Sequence, residues 1–283
     1  MVRYNQAYKG TTHVGCIIKN GKIVKKIYKG SNLVYKLGFD TFTINAGTSL
    51  YAWKVPLGVE KIHIDCVASR GAHGQAGHSD AGENLSNGGN GGRVQFDMKV
   101  TGGETLYITV GAIPSSQNIA SYNASDIRRG GTGYNNRILV AGGGGSGCYN
   151  RGDSSRVGLS AGANGGGTIG ASSETATRRA VANGATGGTQ SGGGTGSNYG
   201  TFGLGGTGAG GASNYAFSGA GGAGWYGGGG GNTALGKHDG KRYKAASGGG
   251  GGSSYANTAY CSAISHTQGY TSGNGYITIS YVW

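Results

Sequence analysis

Hydrophobic and polar residues alternate along several short segments in the first half of the chain. Within 61–67, Ile62, Ile64 and Cys66 would lie on one face of a strand and the polar residues between them on the other. Successive side chains of a strand point to opposite faces of a sheet, so this pattern predicts antiparallel β-sheets with one buried face. The same alternation marks three further segments, 39–44, 93–100 and 106–110, and the apolar segment 50–53 is predicted as another strand.

A long glycine-rich body follows at residues 111–273, interrupted by one apolar segment at 137–141. The alternating segment 275–282 then closes the chain. A closing strand so far in sequence from its partners implies that the glycine-rich body is inserted into a β-sandwich. We therefore predict an all-β fold, an antiparallel sandwich with strands within 39–110, 137–141 and 275–282, and a domain that spans residues 38–283.

Glycine accounts for 66 of the 283 residues, more than three times its usual share of about 7%. There are only two prolines and no three-residue glycine period, which excludes collagen. A flexible linker would not need the large apolar residues that recur in the region. We therefore predict a bundle of polyglycine II helices, which have about three residues per turn and hydrogen-bond to one another. These apolar residues are Tyr199, Phe202, Leu204, Tyr215, Phe217, Trp225 and Tyr226.

Residues 1–37 predict a separate three-stranded β-meander. Asn20-Gly21 lies between two hydrophobic runs, which is a strong hairpin signal, and 33–36 would form the third strand. So small a sheet needs a partner. We interpret it as the segment that attaches the protein to a larger assembly, the alternative being a β-extension of the main domain. The candidate attachment residues are Ile17, Ile18, Ile23, Val24, Ile27 and Tyr28.

The formal net charge of +13 suggests an anionic partner or, alternatively, only solubility. No nucleic-acid-binding signature accompanies it, so nucleic acid is not predicted as a partner. The sequence shows no signal peptide and no transmembrane stretch, so membrane insertion is not expected. The four cysteines have neither C-x-x-C nor zinc spacing, and free thiols are expected if assembly takes place in a reducing cytoplasm.

No catalytic motif is apparent, and neither an enzyme nor a cofactor is predicted. The G-x-S-x-G elbow of hydrolases is absent in a strand–turn–helix context, and no Walker lysine accompanies the glycine runs. His73, His78 and Asp80 share one loop and could hold a metal ion, but solvated loop residues are the favoured interpretation.

Several ordered motifs resemble the glycine-rich domain of anaplastic lymphoma kinase and leukocyte tyrosine kinase, which has many bacterial and phage relatives. The resemblance spans residues 39–283 and implies a jelly-roll sandwich with inserted polyglycine II helices. It also implies structural roles for Asp126, as a buried carboxylate that accepts backbone N–H groups, and for Arg128, Trp225 and Tyr226. The motifs lie in Trp53–Ser69, Gly91–Val94, Thr101–Gly111, Ser125–Arg128, Asn136–Gly145, Gly187–Gln190, Gly224–Gly227, Gly248–Tyr255 and Gly273–Ile279.

Two weaker likenesses point to a virion. The composition resembles that of phage adhesins with polyglycine II bundles, and Lys25–Tyr35 resembles N-terminal pieces of phage virion proteins. We expect a non-enzymatic, homo-oligomeric tail fibre or receptor-binding adhesin. Residues 1–37 would bind other virion proteins, and loops would bind a host-surface glycan or protein. The alternatives are a head fibre or capsid decoration protein and a bacterial surface or secreted ligand-binding module. The candidate receptor-binding residues are Tyr122, Tyr149, Arg151, Lys237, Lys241, Arg242, Tyr243 and Lys244.

Overall fold

The computed structural model describes residues 17–19, 22–24, 26–29, 31–36, 39–74, 83–120, 122–151, 156–210 and 216–282. These residues form 22 strands and one short 3₁₀ helix, Tyr134–Asn136. The strands are β1 (Ile17–Lys19), β2 (Lys22–Val24), β3 (Lys26–Lys29), β4 (Asn32–Lys36), β5 (Phe39–Asn45), β6 (Tyr51–Lys54), β7 (Lys61–Val67), β8 (Glu83–Leu85), β9 (Gly91–Lys99), β10 (Thr105–Thr109), β11 (Ser125–Arg129), β12 (Arg137–Ala141), β13 (Tyr149–Arg151), β14 (Val157–Leu159), β15 (Ala176–Thr177), β16 (Val181–Ala182), β17 (Ala216–Phe217), β18 (Thr233–His238), β19 (Lys241–Ala246), β20 (Tyr255–Ala256), β21 (Cys261–Thr271) and β22 (Tyr276–Val282).

Two five-stranded antiparallel sheets form the predicted sandwich, which is confirmed. One sheet has the order β21-β9-β7-β22-β5 and the other β20-β12-β11-β10-β6. The alternating residues of both sheets meet in one hydrophobic core, so the closing strand does pair with strands from the start of the domain. The fully buried core residues include Ile62, Ile64, Phe96, Leu106, Ile108, Ile127, Leu139, Ile277 and Ile279.

Three strands of the sandwich were missed by the pattern. β20 has only two residues and pairs with β12 at the edge of its sheet. β11 pairs with both β10 and β12 in the middle of the same sheet, where no strand was predicted. β21 lies at the edge of the other sheet, and its pairing with β9 is irregular in register. β11 carries charged residues in buried positions and β21 is mostly polar, so neither shows the alternation that reveals a half-buried strand.

The N-terminal segment forms two hairpins, and the prediction of one three-stranded meander is wrong. Among the residues that the structure describes, β1 pairs with β2 and β3 pairs with β4, each pair in its own two-stranded sheet. The hydrophobic run 22–28 was predicted to be one strand, but its two halves pair with different neighbours. The Asn20-Gly21 turn and the side chains of the candidate attachment residues lie outside the described part of the chain.

Segment 248–252 lies within the glycine-rich body, and its backbone hydrogen bonds repeat every three residues. The N–H groups of Gly249 and Gly252 both donate to carbonyls of segment 143–146, each at 2.9 Å. The carbonyls of the same two residues accept from N–H groups of segment 163–166, at 2.9 and 3.0 Å. A three-residue period is what a polyglycine II helix with three residues per turn requires. The predicted polyglycine II packing is therefore present.

This segment is surrounded by other extended segments on all sides. Its amides and carbonyls bond to six of them, so its backbone groups are satisfied without a helix or a sheet ladder. The same period recurs elsewhere: the N–H groups of Gly143 and Ser146 donate to Ala223 and Ala220, at 2.8 Å each. We call the whole arrangement the glycine bundle. The six neighbours of 248–252 are at 143–146, 163–166, 171, 188, 222 and 229.

Glycine is needed in this segment because the backbones approach so closely. A Cβ atom added at any position from Gly248 to Gly252 would lie 1.9–2.2 Å from a backbone oxygen of a neighbouring segment. No real Cβ contact is that short, so a side chain would force the segments apart. The bundle therefore depends on the absence of side chains here.

Asn123 joins the sandwich to the glycine bundle. Its buried side-chain amide donates from Nδ2 to the Gly144 carbonyl at 2.8 Å and accepts from the Ala223 N–H at Oδ1 at 2.9 Å. The side chain thus makes the two hydrogen bonds that a backbone peptide would make in the bundle.

Candidate functional site

The hairpin of β18 and β19 brings five of the predicted receptor-binding residues together. Its two-residue turn is Asp239-Gly240, with φ angles of 50° and 67°, which is the positive-φ geometry of a type I′ turn. The stretch is therefore a β-hairpin and not the predicted loop. The Asp-Gly dipeptide was the signal that could have identified the hairpin. The five residues are Lys237, Lys241, Arg242, Tyr243 and Lys244.

The inner face of the β18–β19 hairpin packs against the β15–β16 hairpin. Tyr243 and Ala245 are buried against Ala176, Ala180 and Ala182, which lie on and between β15 and β16. Tyr243 is therefore a packing residue, and the structure does not favour its predicted contact with a receptor. Its hydroxyl is 2.9 Å from Arg179 Nη1.

Glycine is required at one position of this inner face. A Cβ at Gly236 would lie 2.0 Å from the Arg179 carbonyl oxygen. The hairpin can therefore lie directly on the turn between β15 and β16. That contact also brings Arg179 to the hairpin, where its Nη1 is 2.9 Å from His238 Nδ1. Arg179 is not among the predicted site residues, and in the sequence only the adjacent pair Arg178-Arg179 could have indicated it.

The outer face of the hairpin carries cations around an exposed leucine. Lys237 lies directly opposite Arg242, and Leu235 opposite Lys244, so the four side chains share one face. Lys237, Arg242 and Leu235 are exposed, Leu235 by 46%. Burial, and next the positive charge of Arg242, lower the pKa of Lys244. We call these four residues the basic face.

The other candidate receptor residues, Tyr149, Arg151 and Tyr122, lie elsewhere in the structure. Tyr149 is only 7% exposed and stacks on Phe217, with ring centroids 4.7 Å apart. Arg151 ends β13 opposite Glu83, and its side chain lies outside the described part of the structure. Tyr149 is thus part of the packing, and we do not retain it as a receptor contact.

Tyr122 belongs to a buried polar cluster with Asp126 and Arg128. Its hydroxyl donates to Asp126 Oδ2, and its ring stacks on Tyr134 with centroids 5.7 Å apart. Burial, and next the negative charge of Asp126, raise the pKa of the Tyr122 hydroxyl well above its usual range. Tyr122, Arg128 and Tyr134 also line a cleft of about 400 Å³ beside residues 47–50. A packing role accounts for its contacts.

Asp126 has other partners than the sequence suggested. The buried carboxylate accepts from Arg128 Nε at 2.7 Å and Nη2 at 3.1 Å and from the Tyr122 hydroxyl. The prediction that it accepts backbone N–H groups of the bundle is wrong for the residues that the structure describes. The reason is that β11 is a strand in the sheet, so Asp126 meets the side chain two residues along rather than the glycine segments.

Trp225 and Tyr226 are held by Arg137 and by neighbouring rings. The Arg137 side chain, whose residue is only 2% exposed, donates to the carbonyls of Gly224 and Trp225, at 2.7 and 3.1 Å. The Trp225 ring stacks on Tyr255 at 3.9 Å, and both Trp225 and Tyr226 meet Phe202 edge-on. These contacts are consistent with the structural role expected for this pair.

Two further findings concern chemistry and membranes. Among the described residues, no group of three or more His, Cys, Asp or Glu side chains is placed to hold a metal ion; His78 and Asp80 lie outside them. His73 accepts a hydrogen bond from the Gly88 N–H at Nδ1. No helix in the part of the chain that the structure covers is long and apolar enough to cross a bilayer.

A comparison with protein families matches residues 43–282 to a family described as Glycine-rich domain. The match includes both sheets of the sandwich and the glycine bundle between their strands. A comparison with curated proteins found no match. Because the family match covers most of the chain, and the bundle is built as a glycine-rich sequence requires, the chain belongs to the glycine-rich domain family.

Proposed function

We propose that this protein is a non-enzymatic phage virion protein, a tail fibre or receptor-binding adhesin, that presents the basic face to a host surface. The observation that carries the proposal is the joining of a close-packed glycine bundle to an exposed hairpin with clustered cations. Binding residues are commonly placed on loops and turns held by a rigid scaffold. The bundle supplies such a scaffold.

The glycine bundle is suited to be a rigid scaffold because of the way its segments are bonded to one another. Its segments are joined by backbone hydrogen bonds to several neighbours each, and residues 141–150 and 245–254 are buried throughout. A protease or a denaturing surface would need to open several segments together. That resistance suits a protein that acts outside a cell, such as one carried on a particle.

The N-terminal hairpins are the proposed means of attachment. Isolated two-stranded hairpins are marginally stable in water, so β1–β2 and β3–β4 gain most by adding to a partner. We propose that the partner is another virion protein and that the assembled protein is a homo-oligomer located in the virion. The resemblance to the kinase-receptor glycine-rich domains supports a ligand-binding role of the domain without carrying over any signalling activity.

A truncation separates attachment from host binding. The described hydrophobic core draws on residues 42–281, so a chain that begins at residue 39 should keep its fold. We expect this truncated protein, fluorescently labelled, to bind host cells like the full chain but to be missing from particles assembled in its presence. Circular dichroism would check its fold.

Three outcomes would contradict the proposal. Cells that bind neither the full chain nor the truncated one would remove the adhesin role. A copy number per particle that matches the capsid lattice, without any cell binding, would instead support the head fibre or decoration protein. A protein recovered from the bacterial surface in the absence of phage would support the third candidate, a bacterial ligand-binding module.

A further inference from the structure

We propose that the basic face binds an anionic polysaccharide, with Lys237 and Arg242 contacting its sulfate, phosphate or carboxylate groups and Leu235 its sugar rings. This inference rests on the proposed function and names the class of receptor. It is carried by the register of the hairpin, by the exposure of its outer face and by the balance of charge along it.

The register places like charges side by side without compensation from the hairpin itself. Lys237 and Arg242 are directly opposite each other on adjacent strands. Like charges in that position destabilise a sheet, typically by a few tenths of a kcal/mol to about 1 kcal/mol. The lowered pKa of Lys244, caused first by burial and then by Arg242, fits such repulsion. An anion bound between the cations would relieve it.

The hairpin has one acidic residue, and it does not serve the basic face. Asp239 is in the turn, where its Oδ2 is 2.7 Å from His238 Nδ1. His238 pairs with Lys241 in the register, on the face opposite to that of Lys237 and Arg242. The outer face therefore presents positive charge together with one apolar side chain, Leu235.

These features favour a polysaccharide over a nucleic acid. Single-stranded nucleic acids are held by aromatic side chains on which bases stack. The aromatic residue of this hairpin, Tyr243, is buried on the inner face. The basic face instead offers an aliphatic side chain, suited to the apolar side of a sugar ring, between two charges suited to its anionic substituents.

The test measures binding of the full chain to immobilised polysaccharides. Dextran sulfate, a phosphomannan and polygalacturonate present the three anionic groups, and neutral dextran presents none. We expect binding to at least one charged polymer, weakened by added salt because surface ion pairs are screened, and none to neutral dextran. The preferred polymer identifies the anionic group.

Charge reversal assigns the binding to the basic face. The double variant Lys237→Glu/Arg242→Glu should lower affinity for the preferred polymer at least about tenfold, as two exposed ion pairs are lost. The matched control Lys54→Glu/Lys99→Glu makes the same change in net charge on exposed lysines of the sandwich and should change affinity less than about twofold. In the single variant Lys237→Glu, the new carboxylate lies opposite Arg242 and has the opposite charge. We therefore expect the melting temperature of this variant to equal that of the unsubstituted protein.

Each result of these binding measurements either supports or overturns the proposed polysaccharide site. It is overturned if the double variant binds as the full chain does, if the control loses as much affinity, or if duplex DNA binds as tightly as the preferred polymer. If the double variant still attaches to host cells while polymer binding is lost, the adhesin proposal survives and the receptor class is wrong. If the full chain binds polymer but no cells, the inference stands and the adhesin proposal fails.

Discussion

Replacing Gly250 by alanine is expected to lower the free energy of unfolding by about 3 kcal/mol or more. The added Cβ would lie 2.0 Å from the Thr186 carbonyl oxygen, while the residue's own N–H and C=O are bonded to Gly229 and Gly222. Because every side of the segment faces backbone, no flexible side chain can move away to make room. Overpacking a well-packed interior commonly costs 1–3 kcal/mol, and a backbone contact belongs at or above the upper end.

The matched control is Gly192→Ala. A Cβ there would have nothing within 4 Å, and Gly192 does not need a positive φ. Its stability should be unchanged or slightly raised, because alanine restricts the unfolded chain. Urea unfolding of both variants would measure the difference. Equal stability of the two variants would mean that the segments are not packed as closely as described.

Asp126→Ala is the second change with a large expected effect, a loss of about 3–5 kcal/mol. The substitution leaves the Arg128 guanidinium buried without its carboxylate, and Tyr122 loses the acceptor of its hydroxyl. Burial alone would lower the pKa of Arg128, but hydrogen bonding to Asp126 and its charge more than offset this and raise it. A cation held in that way cannot be left unpaired at low cost.

A surface ion pair provides the comparison. Asp97 pairs with Lys61 at 2.6 Å, and the lysine side chain is 62% exposed. Asp97→Ala should therefore cost less than about 1 kcal/mol, as solvent-exposed pairs do. Thermal or urea unfolding of both variants gives the measurement. A loss for Asp126→Ala no larger than that for Asp97→Ala would contradict the role assigned to the buried pair.

The sandwich could be predicted because its strands alternate. β7 and β12 have the bounds that the hydrophobic pattern indicated, 61–67 and 137–141. β11 could not be found in this way, because the buried charges of Asp126 and Arg128 neutralise each other across space, and the sequence does not show that pairing. The bundle followed from composition alone, but the partners of each glycine segment are set by tertiary structure.

The candidate site was predicted by residue type and not by arrangement. Lys237 and Arg242 stood out as a basic cluster, but which of them share a face depends on the hairpin register. That register follows from the Asp239-Gly240 turn. Tyr149 and Tyr243 were predicted to contact a receptor because they occur among polar residues in the sequence. Both are buried, because the inner faces of short strands need large apolar rings to fill them.

The most direct test of the account is hydrogen exchange at the backbone amides of residues 249–252 in the native protein. The account predicts that these amides exchange as slowly as those of the sandwich strand β7, because they are bonded to three neighbouring segments, around 143–146, 171 and 229, and open only when the bundle opens. Exchange at the rate of an unstructured glycine linker would contradict it, since the basic face would then have no rigid support.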